Sequence, residues 1–320
     1  INLATADLGR HIVNGELILN GVTDVLYSNH YSFTERDYDF VNHHWGSGIL
    51  FYLVHSVSGF KGLSTIYILL TLVALFLMGS ATSLRNHKVI SALILATVVP
   101  LVAYRVEVRP EGFSYAILAG YFYLLSKFRA EKISFKQLLI PLLLLQVLWV
   151  NLHIFFFLGI LTCGAFLIDS LVHQNKLQAK NLLILLGGLI AVSLINPHFH
   201  RGLLAPLTIF NEYGYMVAEN QTILFMHERF GNPELYHFEF FAVISLILIG
   251  LNFYLGIWKK NVSEILLALT FLGLSVMAVR GIPLFALFFV PLAASVVQYY
   301  IDGMNYKTKD SVLRILPFVG

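Results

Sequence analysis

The sequence predicts an all-α, polytopic membrane protein: a bundle of about nine transmembrane helices with a long first outer loop that carries short interfacial helices. Three observations support this. The chain is 58% hydrophobic and only 12% charged, about half the charged share of a soluble domain, and a fold of 320 residues cannot hide that much apolar surface from water. Its apolar runs approach membrane-spanning length and are separated by short charged loops. No polar linker divides it, so residues 1–320 read as a single transmembrane domain.

The opening stretch, 1–62, is the longest that cannot sit in lipid. It starts with Asp7-Leu8-Gly9-Arg10-His11 and runs through Asp24, Glu35, Arg36, Asp37 and Asp39 to His43-His44-Trp45. Within it, Leu8 to Leu19 follows a short helical pattern, and Gly46 to Ser58 forms an amphipathic run opened by an aromatic anchor, Trp45. The bundle occupies 64–301. Its spans are expected at 64–84, 89–104, 113–126, 181–195, 238–258, 265–279 and 283–301, plus two from 138–173. That last run is too long for one span at 1.5 Å per residue, and Asn151 and His153 mark the break. A second outer loop covers 196–237, and a polar tail, 302–320, is expected on the cytoplasmic side.

Cation bias sets the orientation. With the opening loop outside, the inner loops carry thirteen of the 21 Lys and Arg residues and the outer side eight. The inner cations are mostly Lys. The outer ones are Arg except Lys61, and a planar guanidinium fork suits phosphate. Ten of the twelve His residues fall on the outer side too.

The candidate chemistry gathers on that side. Asp7 is either an N-cap for the helix that follows or a general base at the membrane edge. Adjacent His43 and His44 point in different directions on a helix and make a poor chelate. A divalent metal held by Asp7, Asp39 and His44 is nevertheless a candidate cofactor. Arg105, Glu107, Arg109 and Glu111 alternate in sign before α-helical residues; they form either a self-neutralised loop or an anion site. Arg280 lies in a tight turn, Arg280-Gly281-Ile282-Pro283, where it either snorkels or binds an anion. Asn151 and His153, polar groups in an apolar run, need partners, which hydrogen bonds between helices would provide. Asn196-Pro197 ends a span, as that pair does for general reasons. Glu219 lies in the second outer loop and nothing intrinsic marks it.

Several classes are excluded. A net charge of +3, scattered, leaves no patch for nucleic acid. The sole cysteine, Cys163, sits in an apolar run, so there is no disulfide framework and no thiol metal site. No Walker loop, dinucleotide fingerprint, zincin helix or nucleophile elbow appears.

Read together, Asp7-Leu-Gly-Arg-His11 with Asn14-Gly15, Asp24, Tyr31-Ser-Phe-Thr34 and His44-Trp45 resemble the first outer loop of GT-C membrane glycosyltransferases, in particular the bacterial protein-mannosyltransferase and aminoarabinose-transferase-like branch. The resemblance continues through Arg109-Pro110-Glu-Gly-Phe113-Ser114, Trp149-Val-Asn151-Leu-His153, Asn196-Pro197 and Arg280-Gly-Ile-Pro283-Leu-Phe285-Ala286. It implies a plasma-membrane enzyme that moves a sugar from a polyprenyl-phosphate carrier to a protein or glycan acceptor on the extracytoplasmic face, with Asp7 at the position of the family's base. With the arginines gathered on the outer side, inverting transfer is expected, with Arg105, Arg109 or Arg280 at the donor phosphate and Arg10, His11, Asp39, His43, His44, Asn151, His153, Asn196 and Glu219 around them. The resemblance also implies one further helix before the first loop. Relatives often carry a second acid where this chain has His44; Asp37 or Asp39 is the substitute candidate. The competing classes are a lipid-phosphate or glycolipid transporter (flippase), and an inactive GT-C-like assembly subunit.

Overall fold

The computed structural model describes residues 3, 7–35, 40–208, 217–231 and 233–304, apart from the side chains of Ser83 and Arg85. Asp37, Asp39 and most of the expected cytoplasmic tail lie outside the described residues. Among the described residues there are twelve α-helices and no strand: α1 Leu8–Leu19, α2 Trp45–Ala81, α3 Lys88–Val102, α4 Glu111–Arg129, α5 Phe135–Leu152, α6 Phe157–Val172, α7 Lys176–Val192, α8 His200–Thr208, α9 Ile223–Phe230, α10 Glu234–Tyr254, α11 Val262–Met277 and α12 Ile282–Gly303.

Among the described residues, six segments are long and apolar enough to cross a membrane: α2, α5, Ile154–Val172, α10, Trp258–Met277 and Val279–Gly303. The chain is therefore a multi-pass membrane protein by length and composition. Three of the runs expected as spans do not meet that standard. α3 has 15 residues and α7 has 17, short of the roughly 20 that a hydrocarbon core asks for. α4 has 19 but carries Glu111, Lys127 and Arg129. The run expected as an interfacial helix over 46–58 also continues into α2, interrupted only at Gly59, whose φ of 59° and ψ of −156° lie outside the helical region. A side chain would be strained there, whereas glycine turns the chain without cost. The break expected near Asn151 is present: α5 stops at Leu152, and His153 is extended (φ −159°, ψ 145°). A 3₁₀ turn, Ile154–Phe156, then leads into α6.

The chain divides into two compact units. The first comprises 1–74, 106–164 and 180–214; the second comprises 75–105, 165–179 and 215–320. In the first, Leu8 of α1 packs with Phe51, Leu63 and Tyr67 of α2 and with Val108 ahead of α4. Between α4 and α5 the Tyr121 hydroxyl donates to Gln146 Oε1 at 2.6 Å, and Gln146 Nε2 donates to Ser193 Oγ at 2.8 Å. Buried polar side chains meet one another across helices here because lipid offers them no alternative partner.

The second unit is built around α12. Its spanning segment is 89% buried against 17% for α10, so α12 is a core helix and α10 presents most of its surface outward. Leu292 packs with Ile265 and Ala268 of α11, and Ala294 and Ile301 pack with Leu84. Phe271 of α11 stacks on Phe288 with ring centroids 4.3 Å apart. Asp169, buried in α6, accepts a hydrogen bond from the Ser263 backbone N–H at 3.2 Å. Another helix thereby satisfies one of the unpaired amides at the start of α11.

Candidate functional site

The site of the first unit is assembled at the start of α1. Asp7 occupies the N-cap position, yet its side chain makes no capping bond (φ −95°, ψ −27°). The carboxylate turns instead to two guanidinium groups. Oδ1 accepts from Arg10 Nη2 at 2.8 Å, one helical turn on, and Oδ2 lies 3.5 Å from Arg109 Nη1. The expected N-cap position is borne out, with the Asp7 carbonyl accepting from the His11 amide at 2.9 Å, but the side chain contributes no capping bond. The side chain is 34% exposed and that of Arg109 17%, so the pair sits at a rim, neither sealed nor in open water.

Arg109 owes its placement to Pro110, which caps α4 at φ −56° and keeps the preceding residue out of the helix. Arg109 also lines an apolar groove of about 210 Å³ whose walls include Leu50, Val54, Leu63, Leu70 and Phe113. An apolar groove lined in part by an arginine whose guanidinium meets a carboxylate suits an amphiphile with an anionic head.

Against α1 lies a small polar cavity of about 50 Å³, lined by Arg10, His11, Asn14, Asn29, His30, Tyr31, Asn42 and His44 among others. Tyr31 donates to Asn14 Oδ1 at 2.6 Å. The imidazoles cluster here: His44 stacks on His153 (centroids 5.2 Å apart), meets His11 edge-on (5.3 Å) and lies 3.9 Å from His43. Glycines allow this approach. A Cβ at Gly15 would lie 2.2 Å from the Gly48 carbonyl oxygen, and one at Gly46 would lie 2.6 Å from that of Asn151. The first turn of α2 is thus pressed against α1 on one side and the end of α5 on the other, in the manner of small-residue contacts between membrane helices.

Burial governs the charge of this cluster. His11 is pushed down to about 4, first by desolvation and then by Arg10, with Asp7 opposing. His44 is pushed well below its usual range by burial, and then by His43 and His153. Both are neutral imidazoles at pH 7. His44 as a residue is only partly buried, but its Nδ1 is sealed from solvent and has no hydrogen-bond partner among the described residues. His153 Nδ1 lies 2.8 Å from Ser114 Oγ, which accepts from Trp149 Nε1 at 2.7 Å.

The rings of the cluster face one another and do not converge on a point. Among the described residues no group of three or more His, Cys, Asp or Glu side chains is placed to hold a metal ion. Asp39, one of the three candidate ligands, lies outside the described residues.

The remaining expected residues divide clearly. Asn151 acts as an inter-segment clasp: Oδ1 accepts from Trp45 Nε1 at 2.9 Å, and Nδ2 donates to Val147 O and Ile195 O. The Trp45 indole N–H, expected as an interfacial anchor, is therefore spent inside the protein. Asn196 serves its own turn, with Nδ2 bonded to the Ser193 and Phe199 carbonyls and Oδ1 to the His198 amide. Arg105 and Arg280, expected beside Asp7, belong to the second unit. There Arg105 Nη2 donates to Glu219 Oε2 at 3.0 Å, and Arg280 Nη1 donates to Asn220 Oδ1 at 2.8 Å.

The first unit also holds residues that the sequence did not single out as site residues. Tyr31, Asn14 and Ser114 were visible only as members of short motifs, and Gly46 and Gly48 only as part of the amphipathic run from Gly46 to Ser58. No protein-family model, curated protein or solved structure matches the chain.

Proposed function

We propose that the chain is a membrane glycosyltransferase of the GT-C kind, with about nine helices crossing the bilayer. It transfers a sugar from a polyprenyl-phosphate donor to an acceptor hydroxyl at the extracytoplasmic face of the plasma membrane. One observation carries the reading: Asp7 meets Arg109 at 3.5 Å, and the same arginine is one of the residues lining an apolar groove. A polyprenyl chain would lie in the groove with its phosphate on Arg109, which places the anomeric carbon near the carboxylate.

The chemistry balances without further groups. The acceptor oxygen attacks the anomeric carbon as the bond to the phosphate oxygen breaks. The electron pair leaves with the phosphate, and the hydroxyl proton passes to the Asp7 carboxylate. The configuration inverts, and polyprenyl phosphate is released. Arg109 stabilises the charge that develops on the leaving phosphate. Because the phosphate is already a good leaving group, no acid is required to protonate it, and neutral His11 and His44 are suited to hydrogen bonding with sugar hydroxyls. Thirteen Lys and Arg residues assigned to the inner loops against eight outside support this orientation,.

The test is release of polyprenyl phosphate from polyprenyl-phosphate sugar by the protein in liposomes, for wild type and Asp7→Asn. Turnover by wild type and none by a folded D7N protein is the expected result. Turnover by D7N at the wild-type rate overturns the assignment of the base.

A further inference from the structure

Behind the imidazole cluster runs a buried hydrogen-bonded chain that the transfer step at Asp7 does not use. Trp149 Nε1 of α5 donates to Ser114 Oγ of α4 at 2.7 Å, and the same oxygen lies 2.8 Å from His153 Nδ1. Trp149 and Ser114 are 0% exposed and His153 1%, so their polar atoms depend on partners within the protein.

The direction of each bond follows from what each group can do. An indole nitrogen only donates, so Ser114 accepts from Trp149. The serine hydroxyl then has its own proton to place. A serine or threonine inside a helix commonly gives that proton to the carbonyl four residues back; Thr162, Ser170, Ser193 and Ser275 do so at 2.7–3.0 Å. Ser114 differs. Four residues back stands Pro110, whose carbonyl accepts from the Phe113 amide at 3.2 Å. Among the described residues Ser114 Oγ has no partner besides Trp149 Nε1 and His153 Nδ1. Its proton therefore goes to Nδ1, and the neutral imidazole carries its own proton on Nε2. Reversing the second bond would strand the hydroxyl proton, the costly case for a buried donor.

Packing ties His153 to the polar cavity. Its ring lies 21° from parallel with that of His44, centroids 5.2 Å apart, and His44 meets His11 edge-on. Both His11 and His44 line the cavity. The backbone is clamped at the same place: Trp45 Nε1 donates to Asn151 Oδ1 at 2.9 Å, and Ser47 Oγ donates to the Leu152 carbonyl at 2.6 Å. The His153 ring cannot turn without disturbing His44. Groups behind an imidazole set which nitrogen carries the proton and how the ring is turned.

We propose that Ser114 and Trp149 are positioning residues: their one-way hydrogen-bonded chain locks His153 as the Nε2–H tautomer, and that ring fixes how His44 faces the polar cavity. The tautomer follows from these contacts alone; only the positioning role rests on the transfer reaction proposed above.

NMR of the detergent-solubilised chain, with nitrogen-labelled histidine and carbonyl-labelled leucine, reads the tautomer, because His153 follows the one Leu-His step in the sequence. Wild type should show a bare Nδ1 and a protonated Nε2 at His153. A protonated Nδ1 overturns the proposal. Ser114→Ala should lose the single tautomer, and Ser114→Thr, which keeps the hydroxyl, should retain it. KM for the polyprenyl-phosphate sugar should then rise by about fivefold or more in S114A with kcat little changed, as loss of a ground-state contact does, and stay near wild type in S114T. A wild-type KM in a folded S114A protein that has lost the single tautomer overturns the positioning role. No turnover even by wild type overturns the transfer reaction and the positioning role with it, while the NMR result alone decides the lock. If S114A does not fold, Trp149→Phe takes its place: removing the one-way donor frees Ser114 to accept from Nδ1, and both tautomers should appear.

Discussion

Asp7 and Arg109 face each other at 3.5 Å across a rim, although one begins the first helix and the other precedes the fourth. Arg10 holds the opposite carboxylate oxygen at 2.8 Å. Asp7 therefore has a fixed direction, and its position is set by Pro110 and the packing of Leu8 as much as by its own backbone. Predictions about the site follow from this geometry.

Arg109→Ala should lower kcat/KM for the lipid donor by roughly 10²-fold, as loss of a transition-state charge contact does. Arg109→Lys should recover only part of it, because an ammonium keeps the charge and loses the fork. Steady-state kinetics in liposomes reads both. Equal activity of the Lys variant and wild type would mean that charge alone matters at this position.

Filling the groove should discriminate by chain length. Val54→Trp would occupy part of the 210 Å³ space. KM for a long polyprenyl donor should rise by about fivefold or more, while a short-chain, water-soluble donor is little affected. A uniform change for both donors would place the lipid chain elsewhere.

The histidine cluster predicts acid sensitivity. The pKa of His11 is lowered from 6.5 to about 4, so the unfolded chain binds this proton more readily than the folded one. Stability is then complete above about pH 6.5 and declines as the pH falls toward 4, by at most about 3 kcal/mol for this group. His44, lowered in the same direction, adds to the slope. Thermal unfolding from pH 7 to 4.5 should show the decline, and His11→Gln should flatten it. A slope that His11→Gln leaves unchanged assigns the acid sensitivity to other groups.

Gly48→Ala should destabilise the protein by about 1–3 kcal/mol or more, since overpacking against backbone is poorly relieved: the added Cβ would lie 2.8 Å from the His11 carbonyl oxygen. Gly9→Ala in α1, where nothing lies within 4 Å, should instead stabilise by about 0.5–1 kcal/mol. Paired melting curves check the contrast. Because Gly48 positions His11 and His44, its variant should also flatten the acid dependence.

Much of the fold was legible because lipid leaves few choices. An apolar run must become a helix to satisfy its backbone, and helices stand at each of the expected places. The break at His153 was readable from two polar residues in an apolar stretch. Length was less readable, since α3 and α7 fall short of a span, whereas the helix over 46–58 does end near its expected place, at the Gly59 kink. In the site, Asp7, Arg109, His11, His44 and His153 were legible as polar groups near lipid, each requiring a partner. Their groupings were not. That Arg105 and Arg280 meet Glu219 and Asn220 depends on pairings between segments far apart in sequence, and no local pattern encodes these. The glycines that bring α1 and α2 together carry no polar signal at all.

The most direct test of the central claim is an experimental structure of the chain with a non-hydrolysable polyprenyl-phosphonate sugar. The account predicts phosphonate oxygens within about 4 Å of the Arg109 guanidinium, the chain in the groove beside Val54 and Leu63, and the anomeric carbon facing Asp7. A phosphonate bound away from Arg109, with the groove empty, would contradict it.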